Sequence, residues 1–225
     1  MDKYYMLVRR FVNASFRLLI RTGWHQDTCR EYNNVLTGLG GPLWCVHDVH
    51  YSESIQLTFC DSPSDLKVPT SLAFHLADIY IEELDKALAN VAAPTPPAPL
   101  HTLIHPFLIL AAQTPSSVAY KHIQSALFDP LFSALFNCSL ADESPSQKRA
   151  RLNPAVGEEQ TYPNVVANAC YEDPLAEGNV DGLVLHRKLL KSVFDIASQP
   201  ETKDSNRRKM YTLWKHRGED GDSND

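Results

Sequence analysis

The chain has 225 residues, 44% of them hydrophobic, enough to bury one sizeable core or a row of smaller ones along a stack of helices. With 21% charged residues, only 9 glycines and several stretches of helically spaced apolar residues, the composition excludes a collagen-like chain and argues against an all-β one; no charge-free apolar run reaches about 18 residues, so no membrane-spanning helix is expected. The net charge of −6 is uneven, because residues 1–30 and 201–217 each sum to +4, residues 31–200 to −10, and the last eight residues carry four acids.

Met1 to Arg10 hold Asp2, Lys3, Arg9 and Arg10 among aromatics and lack the apolar core and small-residue cleavage site of a secretory signal. Lys3 to Thr22 reads as one amphipathic helix stopped by Gly23. At about 100° per residue, Tyr4, Leu7, Val8, Phe11, Leu18 and Leu19 share an apolar face, and Lys3, Arg10, Arg17 and Arg21 fall together on another. That basic stripe has the character of a surface for a phosphate backbone or an acidic partner helix, although amphipathic helices also place arginines on plain solvated faces.

A short helix from Asp27 or Thr28 to Leu36 is ended by Gly38, Gly40, Gly41 and Pro42. Residues 44–60 show no clear period, and residues 44–69 are read as an irregular insertion or loop. Thr70 or Ser71 caps the next helix, which runs to about Asn90 with Leu72, Leu76, Ile79, Tyr80, Leu84 and Leu88 apolar and Asp78, Glu82 and Asp85 opposite. The prolines of residues 93–99 fix φ and lack amide hydrogens, so a stiff extended spacer is expected there.

Beyond it the spacing predicts a strongly apolar segment over 101–113, with Pro106 either kinking it or opening a helix, a helix from Thr114-Pro115 to about Leu127, and another from Asp129-Pro130 to Cys138. Short helices too apolar to stand alone point to an all-α fold, an α-solenoid or helical-repeat-like stack of short helices carrying a disordered insertion. Residues 1–138 form the repeat region in this reading, residues 139–180, rich in Pro, Glu, Ser and Asn, a mobile linker, 181–217 the C-terminal helices and 218–225 an acidic tail. The last amphipathic helix is expected from Asp181 to Ala197 on Leu183, Leu190, Val193 and Phe194, followed by a basic segment, Lys203 to Arg217, that packs through Met210, Leu213 and Trp214.

Chemistry-bearing patterns are sparse. Cys45, His47, His50 and Cys60 have zinc-ligand types, but their spacing matches neither usual paired pattern. His75, Asp78 and Glu82 share a helix as solvent-facing residues commonly do. Five scattered cysteines, Cys29, Cys45, Cys60, Cys138 and Cys170, without C-x-x-C spacing indicate reduced thiols of cytoplasm or nucleus. With no Walker A, G-x-S-x-G, G-x-G-x-x-G, H-E-x-x-H or EF-hand loop, the chain is expected not to be an enzyme and to need no metal, cofactor or small-molecule substrate. Lys148, Arg149 and Arg151 form a KRAR cluster that a nuclear import receptor can read.

MDKYYMLVRRFVNASFRLLIRTGW, KVPTSLAFHLADIYIEELDKAL, LIHPFLILAAQTPSSVAYKHIQSALFDPLF and NRRKMYTLWKHR, in this order, resemble the ribosomal RNA-processing protein 1 family of nucleolar ribosome-assembly proteins. The resemblance implies a helical-repeat scaffold in the nucleus and nucleolus, with pre-ribosomal particle proteins and precursor ribosomal RNA as partners and no catalytic residues. Members carry a further helical portion ahead of the first of these segments, which begins here at Met1; this implies a stack lacking its first layers and showing an apolar face. Residues 44–60 stand where the family has a short connection, as translated intron sequence would. Contact with RNA or partners is assigned to Lys3, Arg10, Arg17, Arg21, Arg207, Arg208 and Lys209. The alternative is a cytoplasmic helical-repeat adaptor that binds proteins through Asp78, Glu82 and Asp85.

Overall fold

The computed structural model describes residues 2–44, 70–90, 95–142 and 161–222. Helix α1 (Asp2–Arg21) ends as its sequence predicts: Gly23, at φ +64°, lets its own N–H reach Ile20 O and that of Trp24 reach Leu19 O, closing the last turn of carbonyls. Trp24 then buries its indole and donates from Nε1 to Pro96 O at 3.0 Å, which docks this corner on the proline-rich spacer. Helix α2 (Gln26–Thr37) stops before Gly38, and α3 (Thr70–Ala89) packs against α1.

The spacer differs from a free linker. Its end forms strand β1 (Ala98–Pro99), paired in parallel with β2 (Ala169–Cys170) and continuing directly into α4 (Leu100–Gln113). Pro97, Ala98 and Pro99 are buried. Backbone bonds from Ala98 N to Asn168 O and from His101 N to Tyr171 O tie the ledge to a segment about seventy residues away. Pro106 lies inside α4 and is neither its first residue nor its end.

Helices expected as separate are joined. α5 (Ser117–Ile123), capped by Ser116 Oγ accepting from Ala119 N, passes through a π-type turn (Gln124–Phe128) into α6 (Asp129–Asp142). The reason is Pro130, which cannot donate to the preceding turn and whose ring needs room; widening the helix just ahead of it, with Asp129 N on Gln124 O, keeps the chain helical. The break read from Asp-Pro becomes a bulge.

Residues 139–180, read as a mobile linker, depart from that reading in the described part. α6 runs on to Asp142, and 161–180 form α7 (Pro163–Ala167), β2 and α8 (Pro174–Glu177), with Val165, Val166, Ala169 and Cys170 buried. The few apolar residues of this polar stretch are concentrated where they meet α3 and α6. Asp85 of α3 secures it from outside, its Oδ1 accepting from the N–H groups of Asn164 and Val165 at 2.8 and 2.9 Å.

Helix α9 (Gly182–Ser198) starts on Asp181, whose side chain accepts from Leu183 N and Val184 N, and packs on α4, α6 and α10 (Asp204–Asp222). Its buried face is Leu185, Leu189, Leu190, Val193, Ile196 and Ala197; of the residues expected there, Phe194 is exposed and rests against Trp214, ring centres 5.0 Å apart. Among the described residues the architecture is an all-α stack with one two-residue strand pair, and none of the helices is long and apolar enough to cross a membrane. At its centre stands α4, with Leu100, Leu103, Ile104, Phe107, Leu108 and Ala111 fully buried and His101, Thr102, His105 and Gln113 on one half-buried face.

Candidate docking surfaces

The surface of α1 follows from how it is pinned. Arg9 Nη1 bridges Glu82 Oε1 at 2.8 Å and Glu83 Oε1 at 3.0 Å, and Asn13 Nδ2 donates to Glu83 Oε2 at 3.1 Å. Lys86 reaches the same two carboxylates. Glu83 is almost fully buried and is satisfied on both oxygens, so a charge costly to desolvate becomes the hinge pin of the α1–α3 contact. The bond to Glu82 raises the Arg9 guanidinium above its ordinary value despite partial burial.

This pin fixes the rotation of α1 and corrects the face expected from the helical wheel. Val12, Phe16, Leu19 and Ile20 point into the core, whereas Tyr4, Leu7, Phe11 and Leu18 are 78%, 59%, 71% and 56% exposed. Val8 is half-buried, so Leu19 alone of the expected set is fully in the core. The wheel could not separate these faces, because both are apolar and the deciding group, Arg9 against two α3 acids, is a long-range pair.

Lys3, Arg10, Arg17 and Arg21 are all exposed and lie together beside the bare apolar residues. Arg10, Ala14 and Arg17 line a shallow cleft of about 430 Å³ together with Arg9, Asn13, Glu83 and Lys86. The C-terminal trio behaves differently. Arg207 directs its guanidinium inward, donating to Ala197 O, Gln199 O and Thr202 O at 3.0, 3.0 and 3.1 Å and pairing with Asp204, so it closes the C-terminus of α9. Lys209 lies 4.8 Å over the Tyr120 ring and donates to Ser117 Oγ. Arg208 alone of the three is exposed. Lys148, Arg149 and Arg151 lie outside the described residues, as do Cys45, His47, His50 and Cys60.

The acidic face of α3 is turned to internal use. Asp78 Oδ1 lies 2.8 Å from His122 Nε2, Glu82 meets Arg9 and Lys86, and Asp85 holds α7. His75 Nε2 sits 3.2 Å from Tyr5 O, and among the described residues no cluster of three or more His, Cys, Asp or Glu is placed to hold a metal.

A larger groove of about 830 Å³ runs between the start of α2, the proline ledge and the turn at 172–177. Two of its ionisable residues, Cys29 and Glu177, are held by the fold, while His25, Arg30 and Glu172 are exposed along it. Burial pushes the Cys29 thiol up to about 11, so little thiolate exists at neutral pH. Burial alone would raise Glu177, but the N–H groups of Asp173, Glu172 and Tyr171 together with Lys188 outweigh it and hold the carboxyl below its ordinary range. These groups brace a turn.

The sequence is similar to known proteins along most of its length. The family described as "Nucleolar protein, Nop52" matches residues 1–214. A Dictyostelium discoideum protein named ribosomal RNA processing protein 1 homolog is 24% identical over 213 residues, 94% of this chain and 37% of its own length. The human ribosomal RNA processing protein 1 homolog A is 24% identical over 238 residues, covering 95% of this chain and 46% of its own, and homolog B is 26% identical over 145 residues, 64% and 15%. The chain thus spans less than half the length of these curated relatives.

Proposed function

Because the chain belongs to the Nop52 family of nucleolar proteins, we propose that it is a non-catalytic nucleolar scaffold in precursor ribosomal RNA processing and ribosomal subunit assembly. It docks proteins of pre-ribosomal particles, and precursor RNA, on helix surfaces. The family match over 1–214 carries this reading, and the names of the relatives give the process. The geometry supports it: Lys3, Arg10, Arg17 and Arg21 stand exposed together on one helix. Arg208 adds a basic contact at the far end, with Arg207 and Lys209 shaping the helix that presents it.

The test is sedimentation of a tagged chain from nuclear extract, together with fractionation of the cells. Co-migration with pre-ribosomal particles and nucleolar residence are expected. A chain confined to the cytoplasm and absent from those particles overturns the reading in favour of an adaptor that binds only proteins. For RNA itself, a salt titration with Arg10→Glu/Arg17→Glu is decisive: loss of two phosphate contacts flattens the slope of log affinity against log salt by roughly 1.4 to 1.8, whereas an unchanged slope removes these residues from the RNA surface.

A further inference from the structure

The last two helices carry a strip of aromatic rings with cations at both ends. Where α9 and α10 meet, Phe194 lies against Tyr211 and Trp214, ring centres 5.3 and 5.0 Å apart, with Phe194 38% and Trp214 40% exposed. Contacts from Ala197 to Arg207 and from Phe194 to Tyr211 and Trp214 run the helices antiparallel, so Arg208 lies at one end of the rings and Lys191 and Arg187 at the other. Arg187 and Lys191 stand two turns and one turn before Phe194, on its stripe of α9, and Arg208 one turn before Tyr211. All three are exposed, and none of their side chains has a hydrogen-bonding or ionic partner among the described residues. The acids nearby are turned aside. Asp204 pairs with Arg207, and Asp195 lies toward Tyr171 on the flank of α9 that carries Lys188, where it adds to burial and Glu172 in raising that phenol.

Between Arg187 and His216 no Leu, Ile, Val or Met is exposed, so the strip offers flat rings and positive charge and no aliphatic knobs for a partner helix. A neutral segment cannot close it either, because burying three unpaired cations is costly; whatever lies here brings negative charge with it. We propose that the strip is a seat for single-stranded RNA, in which bases stack on Trp214 and Phe194 while the flanking phosphates meet Arg208 at one end and Lys191 and Arg187 at the other. The proposal rests on the reading of the chain as one that docks precursor RNA, and it names the strandedness of that RNA and where its bases lie. Every base has a π face, so the seat reads little sequence; a duplex is rejected because paired bases keep their faces inside the stack.

The experiment titrates the full chain by anisotropy against fluorescein-labelled probes of about ten nucleotides: single-stranded oligouridine, an abasic ribose-phosphate strand and a blunt RNA duplex. Oligouridine is expected to bind at least about tenfold more tightly than either of the others. Trp214→Ala should weaken oligouridine about 5- to 140-fold and leave the abasic strand unchanged, and Trp214→Phe should restore most of the loss. Retained binding of the abasic strand shows that the Ala variant is folded. Lys191→Gln/Arg208→Gln should weaken both single strands and flatten the slope of log affinity against log salt by roughly 1.4. Equal affinity for oligouridine and the abasic strand, an equal loss on both in Trp214→Ala, tighter binding of a glutamate-rich peptide than of oligouridine, or no binding of any probe, each overturns the proposal. If Arg10→Glu/Arg17→Glu flattens the salt slope while Trp214→Ala changes nothing, this seat fails and the RNA reading of α1 stands. Co-migration with pre-ribosomal particles is read separately, so a failed seat and a failed scaffold role remain distinguishable.

Discussion

Helices α1 and α4 are built from similar materials and do opposite things. α4 buries nine of its 14 residues and leaves only a half-buried stripe of His101, Thr102, His105, Ile109 and Gln113, so most of its side chains bear on stability. α1 has an equally apolar stripe, yet Tyr4, Leu7, Phe11 and Leu18 stay in solvent while a different stripe of the same helix is buried. Hydrophobic burial therefore explains most of α4 and only half of α1. What chose the buried half of α1 is polar: Arg9 and Asn13 against Glu82 and Glu83.

The two helices differ most sharply at two phenylalanines. Phe107 of α4 is fully buried, its ring edge-on to Tyr80 at 4.8 Å, whereas Phe11 of α1 is 71% exposed. Phe107→Ala is expected to lower unfolding stability by about 3 to 5 kcal/mol in urea titration, and Phe11→Ala to change it by less than about 0.5 kcal/mol. A comparable loss at Phe11 would mean that its side chain is packed in solution and that the two helices do not differ in this way.

A smaller contrast lies within the basic trio. Truncating Arg207 strands the carbonyls of Ala197, Gln199 and Thr202 at the end of α9, so Arg207→Ala should cost about 1 to 3 kcal/mol. Arg208→Ala should be neutral within about 0.5 kcal/mol and act only on binding. If the two variants melt alike, the inward geometry of Arg207 contributes nothing to the fold.

Where the sequence read correctly, the signal was local. The C-cap at Gly23, the break at Gly38 and the start of the last amphipathic helix at Asp181 are each decided within a few residues, and each is found. What was not legible depended on distant partners. Val165 and Val166 have too few apolar neighbours in sequence to announce a buried element; their place is made by α3, through Asp85. The acids Asp78, Glu82 and Asp85 look like a free surface in one dimension and become internal fasteners once His122, Arg9 and Asn164 arrive. The four basic residues of α1 did share a face, but which apolar residues accompany them into solvent was set by that long-range pairing.

The smallest expected effect concerns the clamp itself. Burial would raise the Glu82 carboxyl, but hydrogen bonds from Lys86 and Arg9 prevail and hold it below its ordinary value of 4.5. A carboxylate whose folded value is depressed contributes stability that is fully present above the unfolded value and is lost as pH falls through the folded one. The wild-type advantage over Glu82→Gln should therefore be constant from neutrality down to about pH 5 and shrink below 4.5. Since the pair is partly exposed, that advantage is at most about 1 kcal/mol at low salt and smaller at high salt. Hydrogen exchange locates the event: on acidification at low salt, amides of α1 should lose protection while those of α4 retain it, because only α1 depends on this bond for its seat. A difference between the two proteins that ignores pH, or protection lost from both helices together, would mean that apolar packing of Val12, Phe16, Leu19 and Ile20 already fixes the rotation of α1 and that Arg9 merely decorates it.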